Sequence, residues 1–176
     1  MIKSFVITVA AVVAAGVSAQ AQSSPAGAPT DPQIAMIVVT ADNVDIAGGK
    51  LAAKKSSNPK VKEFAELMVR DHTSVNNQAT QLAKKLNVTP EESPTSKSLK
   101  ADGAATLSKL RGLSGADFDK AYVDNEVAYH ETVIKAVNDT LIPNAKNAEL
   151  KALLESGKPI FESHLNHAKE LQTSLK

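Results

Sequence analysis

The stretch "VKEFAELMVRDHTSVNNQATQLAKKL", residues 61–86, decides the fold of this chain. Apolar side chains recur along it every three or four residues, as on one face of an amphipathic helix. They are Val61, Phe64, Ala65, Met68, Val75, Ala79, Leu82 and Leu86. His72 lies on this same face, about 40° from Met68 at 100° per residue. Because a polar group without a partner is costly inside a core, His72 needs a partner on a neighbouring helix.

The same periodicity extends outward in both directions from this helix. It predicts helices from Pro32 to Lys55, from Pro59 to Leu86, from Ser114 or Asp117 to about Leu141, and from about Ala148 onward. Asp31 and Asn58 are the expected caps of the first two helices. Pro159 is expected to kink the last helix or to restart it.

The connections between these helices define the expected architecture. The turn "SSN", residues 56–58, is so short that the first two helices must be antiparallel neighbours. The second connection is about 25 residues long, and we expect a short helix over Ser98–Leu110 within it. The sequence contains no convincing alternating run typical of a strand. We therefore expect an all-α, ferritin-like four-helix bundle of two antiparallel hairpins, with a short helix in the long connection.

The N-terminal region has the features of an export signal. Lys3 precedes an apolar run from Phe5 to Val17, and the small-residue pattern Ala19-Gln20-Ala21 follows it. We expect a signal peptide over residues 1–21, a flexible leader over 22–31 that is rich in proline and small residues, and the bundle domain over 32–176. These features predict an exported protein, periplasmic or associated with the outer membrane, without a transmembrane span after cleavage.

Composition narrows the function classes. The chain has 20 basic and 19 acidic side chains, so there is no electrostatic reason to expect a nucleic-acid partner. It contains no cysteine, which excludes disulfides, thiolate metal sites and cysteine nucleophiles. Tryptophan is absent and aromatic residues are few, which argues against a surface for stacking sugars or bases. The sequence does not identify a protein partner or an oligomeric state.

Each of the four main helices places ionisable side chains on its apolar face. They are Asp45, His72, Glu126, His130 and His164, with Asp71 at a face edge where it could orient an imidazole. His167 is assigned to the surface. A metal ion or a hydrogen-bonded cluster would offset the cost of burying these groups. Neutral imidazoles with one or two carboxylates are typical ligands of zinc, copper or iron.

Whether these residues can form one site depends on their levels, that is, their positions along the bundle axis. Asp45 and His72 lie at one level if the first hairpin turns near Ser57. If the second hairpin turns near Asn144, His130 faces about position 158, which leaves His164 about 9 Å away along the axis. Three arrangements therefore remain open: one site that contains all the groups, two sites, or one site and a structural histidine.

Three segments together resemble a bacterial exported family catalogued as "domain of unknown function 4142", which is placed with ferritin-like bundles. They are "GGKLAAKKSSNPKVKEFAELMVRDHTSVN" at 48–76, "LSGADFDKAYVDNEVAYH" at 113–130 and "KPIFESHLNHAKEL" at 158–171. The resemblance covers about residues 32–175, and it implies a bundle fold and an exported location. It also places His72, His130 and His164 at the histidine positions of the family, whose members often carry glutamate at the position of Asp45.

Three functions remain open from the sequence. The first is a metal-binding bundle with a role in envelope stress or metal handling, and the second is a structural or interaction module whose inward polar groups fix helix register. The third is a metalloenzyme, which would need an open coordination position and a substrate cleft. It ranks last because the sequence shows no cleft-forming insertion. A diiron oxidase is not predicted, since the two Glu-x-x-His pairs of such bundles are missing.

Overall fold

The structure is a computed structural model that describes residues 27–175, and within that range it is helical almost throughout. Its elements are α1 (Asp31–Lys55), α2 (Pro59–Lys85), α3 (Pro94–Gly112), α4 (Gly115–Ala136), a π-helical turn (Val137–Leu141), α5 (Ile142–Asn144) and α6 (Ala148–Ser174). The predicted all-α bundle is confirmed, and no strand occurs among these residues. The predicted signal peptide lies outside the described residues.

The first hairpin packs α1 against α2 along most of their length. Asn58 caps α2 as expected, accepting a hydrogen bond from the backbone N–H of Lys60 at 3.0 Å. The prediction that Asp31 caps α1 is wrong, because Thr30 occupies the cap position and Asp31 is the first helical residue. The Asp31 carboxylate instead accepts hydrogen bonds from the backbone N–H groups of Lys146 and Asn147, at 2.8 and 2.9 Å. It thereby ties the start of α1 to the turn before α6.

The long connection between the hairpins contains α3, which is longer than the helix expected over Ser98–Leu110. Ser93 begins it with a capping box, and its hydroxyl accepts a hydrogen bond from the N–H of Ser96 at 3.1 Å. The α3 helix lies mainly against α1. A Cβ added at Gly103 would lie 2.7 Å from a methyl group of Val44, so a glycine allows this close approach.

The second hairpin pairs α4 with α6. Ser114 occupies the cap position of α4. Between the two helices, the π-helical turn and α5 continue the direction of α4 as far as Asn144. The α6 helix runs through Pro159 without interruption, so the predicted restart at this proline is wrong. None of the described helices is long and apolar enough to cross a membrane.

The core consists of two apolar clusters, one towards each end of the bundle. The first includes Phe64, Met68, Phe118, Tyr122 and Leu171, and the second includes Ile34, Val75, Leu141, Leu154 and Phe161. On each of α1, α2, α4 and α6, the predicted ligand residues fall between the positions that belong to the two clusters. The bundle therefore holds a buried polar layer between two apolar layers.

Candidate metal centre

Seven acidic and histidine side chains from four helices form the polar layer. They are Asp42 and Asp45 on α1, Asp71 and His72 on α2, Glu126 and His130 on α4, and His164 on α6. All of these except Asp71 are at least 96 % buried. So large a buried set is unusual, because carboxylates are rarely buried without a partner.

Three imidazole rings meet at the centre of the layer. The ring centroids of His72 and His164 are 5.2 Å apart, those of His130 and His164 are 5.5 Å apart, and those of His72 and His130 are 5.6 Å apart. One potential ligand nitrogen from each ring lies within 4.8 Å of the other two. The three rings come from α2, α4 and α6, so the site exists only when both hairpins are docked.

Each imidazole uses one nitrogen to donate a hydrogen bond. His72 Nδ1 donates to Asp42 Oδ1 at 2.9 Å, and His164 Nε2 donates to Asp71 Oδ2 at 3.0 Å. His130 Nδ1 donates to the backbone carbonyl oxygen of Glu126 at 3.0 Å. Because carbonyl and carboxylate oxygens accept, each of these nitrogens carries a proton, and the opposite nitrogen of each ring is left for another partner. Metal-ligating histidines are held by the same arrangement.

The opposite nitrogens are buried without a hydrogen-bond partner among the residues that the structure describes. They are His72 Nε2, His130 Nε2 and His164 Nδ1, and Glu126 Oε2 is in the same situation. A buried acceptor without a partner costs about 1–3 kcal/mol, so four of them in one place are expensive. An ion could be held by the three imidazoles or by Asp45, Glu126 and His130, because these are the two groups whose potential ligand atoms lie within 4.8 Å of one another.

Asp45 and Glu126 add carboxylate oxygens to the same centre. Together with His130 they form a second group whose potential ligand atoms lie within 4.8 Å of one another. Asp45 Oδ2 also lies 3.4 Å from His72 Nε2. Burial raises the pKa of Glu126 to about 8. Burial raises the pKa of Asp45 as well, and the neighbouring carboxyl groups of Glu126 and Asp42 raise it further.

The imidazoles of His130 and His164 are shifted towards their neutral form. Burial lowers the pKa of His130 to about 3, and the adjacent His72 contributes to this shift. Burial lowers the pKa of His164 to about 4, although the hydrogen bond to Asp71 opposes the change. Neutral imidazole is the form that binds a metal, so protons compete weakly for these two nitrogens.

The two groups of potential ligands share His130, which has only Nε2 available because Nδ1 is bound to the Glu126 carbonyl oxygen. The expected axial gap of about 9 Å between His130 and His164 is wrong. The second hairpin turns between Asn144 and Ala148, not at Asn144 itself, which sets His130 level with about position 162. The geometry therefore fits a single ion better than two separate sites.

The structure brings all five predicted ligand residues to one place. Asp71, which was expected to orient an imidazole, is bonded to that of His164. His167 is half-buried and packs edge-on against Phe64 at 5.1 Å between ring centroids, which corrects its assignment to the surface. Its ring is therefore part of the apolar packing beside the site.

Asp42 is the site residue that the sequence reasoning missed. It is 98 % buried, and it orients His72. Two signals pointed to it. Position 42 is one turn from Asp45 on the same helix, and a hairpin centred at Ser57 sets position 42 level with His72.

A cavity of about 660 Å³ borders the polar layer on one side, where it is lined by Asp42, Asp45 and His72. The metalloenzyme was ranked last because the sequence shows no cleft-forming insertion, but a cleft is present. The cleft arises between the main helices and the start of α3, so no insertion is required.

Comparison with known proteins assigns this chain to a family. Neither the curated proteins nor the solved structures contain a match to this chain. The chain does match the family described as "Domain of unknown function (DUF4142)", over residues 16–171. That match spans most of the sequence and includes every helix that contributes to the polar layer, and the protein belongs to the DUF4142 family.

Proposed function

We propose that this protein is an exported helical bundle that binds one divalent transition-metal ion in its polar layer. The observation that carries the proposal is the convergence of three buried imidazoles, each held by a hydrogen bond at one nitrogen, with one potential ligand nitrogen per ring within 4.8 Å of the others. Side chains projecting inward from facing helices are a common way to build metal sites in bundles.

The donor set indicates the class of metal. Three imidazole nitrogens with the carboxylates of Asp45 and Glu126 suit zinc, copper or iron, whereas calcium and magnesium prefer oxygen ligands. Two carboxylates balance the charge of a divalent ion, which reduces the cost of burying it. Asp42 and Asp71 would hold His72 and His164 in orientation without being ligands themselves.

The location and the role are parts of the same proposal. The signal-like sequence at residues 1–21 supports export to the periplasm or the outer membrane. In that compartment a buried site of this kind would serve metal handling or protection of the envelope against metal stress.

The test is a thermal melt of the purified protein in chelator and then with zinc, copper or iron(II), the last without oxygen. Metal should raise the melting temperature, because it binds the folded state preferentially. His72→Ala should remove most of that gain, and His167→Ala, which changes a histidine outside the three-imidazole group, should retain it.

Elemental analysis of protein purified from its native compartment identifies the metal. If no metal raises the melting temperature of the wild type and none copurifies, the metal proposal fails and the histidines are structural. If both variants lose the gain equally, the site lies elsewhere.

A further inference from the structure

The cavity beside the polar layer is too large and too apolar to be a packing defect. Its volume of about 660 Å³ lies in the range of small-molecule pockets, whereas packed interiors contain few voids larger than a water molecule. Its walls are mostly aliphatic or aromatic side chains, including Ile37, Leu99, Val133, Leu154 and Phe161. The ionisable side chains in the lining, Asp42, Asp45 and His72, are all buried and belong to the polar layer.

The cavity reaches from the buried layer to the surface of the bundle. Its outer part includes Pro94, Thr95 and Thr140, which are exposed. The π-helical turn contributes Val137 and Leu141 to the wall. Such turns interrupt regular helices and often occur at functional sites. The result is an apolar passage with a solvent-exposed mouth and a polar inner end.

The polar inner end offers a hydrogen-bond acceptor that the metal proposal does not use. Asp42 Oδ1 accepts from His72, whereas Asp42 Oδ2 is buried without a partner among residues 27–175. The Asp42 side chain is 97 % buried and lines the cavity. Asp42 is therefore a lining residue whose carboxylate keeps one oxygen for a donor group.

We infer that the cavity binds a small amphiphile with a linear apolar body and a single hydrogen-bond-donating head, most favourably a primary ammonium, placed at Asp42 Oδ2. The apolar walls would take the body, and the carboxylate oxygen would take the head. A carboxylate head of the same length is disfavoured, because it would lie against the carboxylate of Asp42, which offers it no donor.

This binding does not require a metal ion, so it can be tested separately from the proposed function. Asp42 is absent from both groups of potential ligands, which consist of Asp45, Glu126 and the three central histidines. A metal in the layer would leave Asp42 Oδ2 available to the head of the amphiphile. A negative result for amphiphile binding therefore does not contradict the metal proposal, and a negative result for metal binding does not contradict amphiphile binding.

The experiment is calorimetric titration of the full protein in chelator with decylamine, decanol and decanoate, each below the concentration at which it forms micelles. Decylamine should bind most tightly, decanol more weakly and decanoate least. In Asp42→Asn the affinity for decylamine should fall by about tenfold or more, because a charge-assisted hydrogen bond is lost. The affinity for decanol should change little, since an amide can still bond to a hydroxyl.

Two further variants complete the design. Ala136→Phe places a ring in the wall of the cavity and should weaken all three ligands, with circular dichroism confirming that the bundle is folded. Asp117→Asn removes an exposed carboxylate that does not line the cavity and should leave binding unchanged. Equal binding of decylamine and decanoate overturns the inference. So does an unchanged preference in Asp42→Asn, or undiminished binding in a folded Ala136→Phe variant.

Discussion

Asp42 and His72 are joined by a hydrogen bond of 2.9 Å across the α1–α2 interface, with both side chains almost fully buried. The bond fixes the proton on His72 Nδ1, and the opposite nitrogen lies 3.4 Å from Asp45 Oδ2. A single carboxylate on α1 thus sets the direction in which an imidazole on α2 presents its lone pair. The contact links the packing of the first hairpin to the chemistry of the polar layer.

Removing the charge of Asp42 should therefore weaken metal binding without removing a ligand. We expect Asp42→Asn to lower the affinity for zinc by about tenfold, as is typical when the partner of a metal-bound histidine is changed. Competition with a coloured chelator measures the effect, with Asp117→Asn as the exposed control. An affinity equal to that of the wild type would show that the Asp42–His72 contact does not tune the site.

The buried carboxyl groups should make the metal-free protein less stable as the pH rises above neutrality. Since burial raises the pKa of Glu126 to about 8, the folded state keeps a proton that the unfolded state loses near pH 4.5. This contribution to stability is complete below about pH 4.5 and is lost as the pH rises through 8, with a limiting slope of about 1.4 kcal/mol per pH unit. Asp45 acts in the same direction.

At acidic pH the histidines have the opposite effect on stability from that of the carboxyl groups. The folded-state pKa values of His130 and His164 are about 3 and about 4, so the unfolded state takes up protons first as the pH falls below 6.5. The two effects oppose each other between about pH 4.5 and 6.5, and only the carboxyl groups act above pH 6.5. Urea unfolding in chelator should therefore show a stability that changes little below pH 6.5 and falls between pH 6.5 and 8. The loss between pH 6.5 and 8 should be smaller in Glu126→Gln and absent in the Asp45→Asn/Glu126→Gln double variant. A double variant with the full wild-type slope would contradict this assignment.

The two adjacent glycines of α1 should respond differently to substitution. A Cβ at Gly49 would lie 2.8 Å from the Ala65 carbonyl oxygen and 2.9 Å from a Val69 methyl group, so α1 and α2 would have to separate. We expect Gly49→Ala to lower the free energy of unfolding by about 1–3 kcal/mol. A Cβ at Gly48 would have its nearest neighbour at 3.7 Å, which is ordinary contact. Gly48→Ala should therefore be neutral, or stabilising by up to about 1 kcal/mol through helix propensity.

Urea unfolding of both glycine variants, with chelator present, makes this comparison directly. The decisive result is which of the two variants has the lower free energy of unfolding. If Gly48→Ala lowers the free energy of unfolding more than Gly49→Ala does, the close contact between α1 and α2 is not at Gly49.

Export should leave a processed N-terminus. N-terminal sequencing of the protein from its native source should begin at Gln22 or within a few residues of it, since Ala19-Gln20-Ala21 has the small residues that signal peptidase requires. A native chain that begins at Met1 would exclude cleavage.

The sequence by itself determined the helices, the first hairpin and the family. The 3.6-residue periodicity of residues 61–86 and the short turn before Pro59 are local properties, and they needed no information from distant parts of the chain. The same periodicity showed that Asp45, His72, Glu126, His130 and His164 face inward, because the face of a residue depends only on its position along its own helix.

The tertiary structure alone decided that these residues meet and that a cavity lies beside them. The level of His164 depends on where the second hairpin turns, and an error of two residues in that turn shifts the opposite helix by about four residues, or roughly 6 Å. The pairing of Asp42 with His72 depends on how closely α1 approaches α2, which is set by contacts between helices. The cavity depends on the space left between α1, α4, α6 and the start of α3, and no single segment encodes that space.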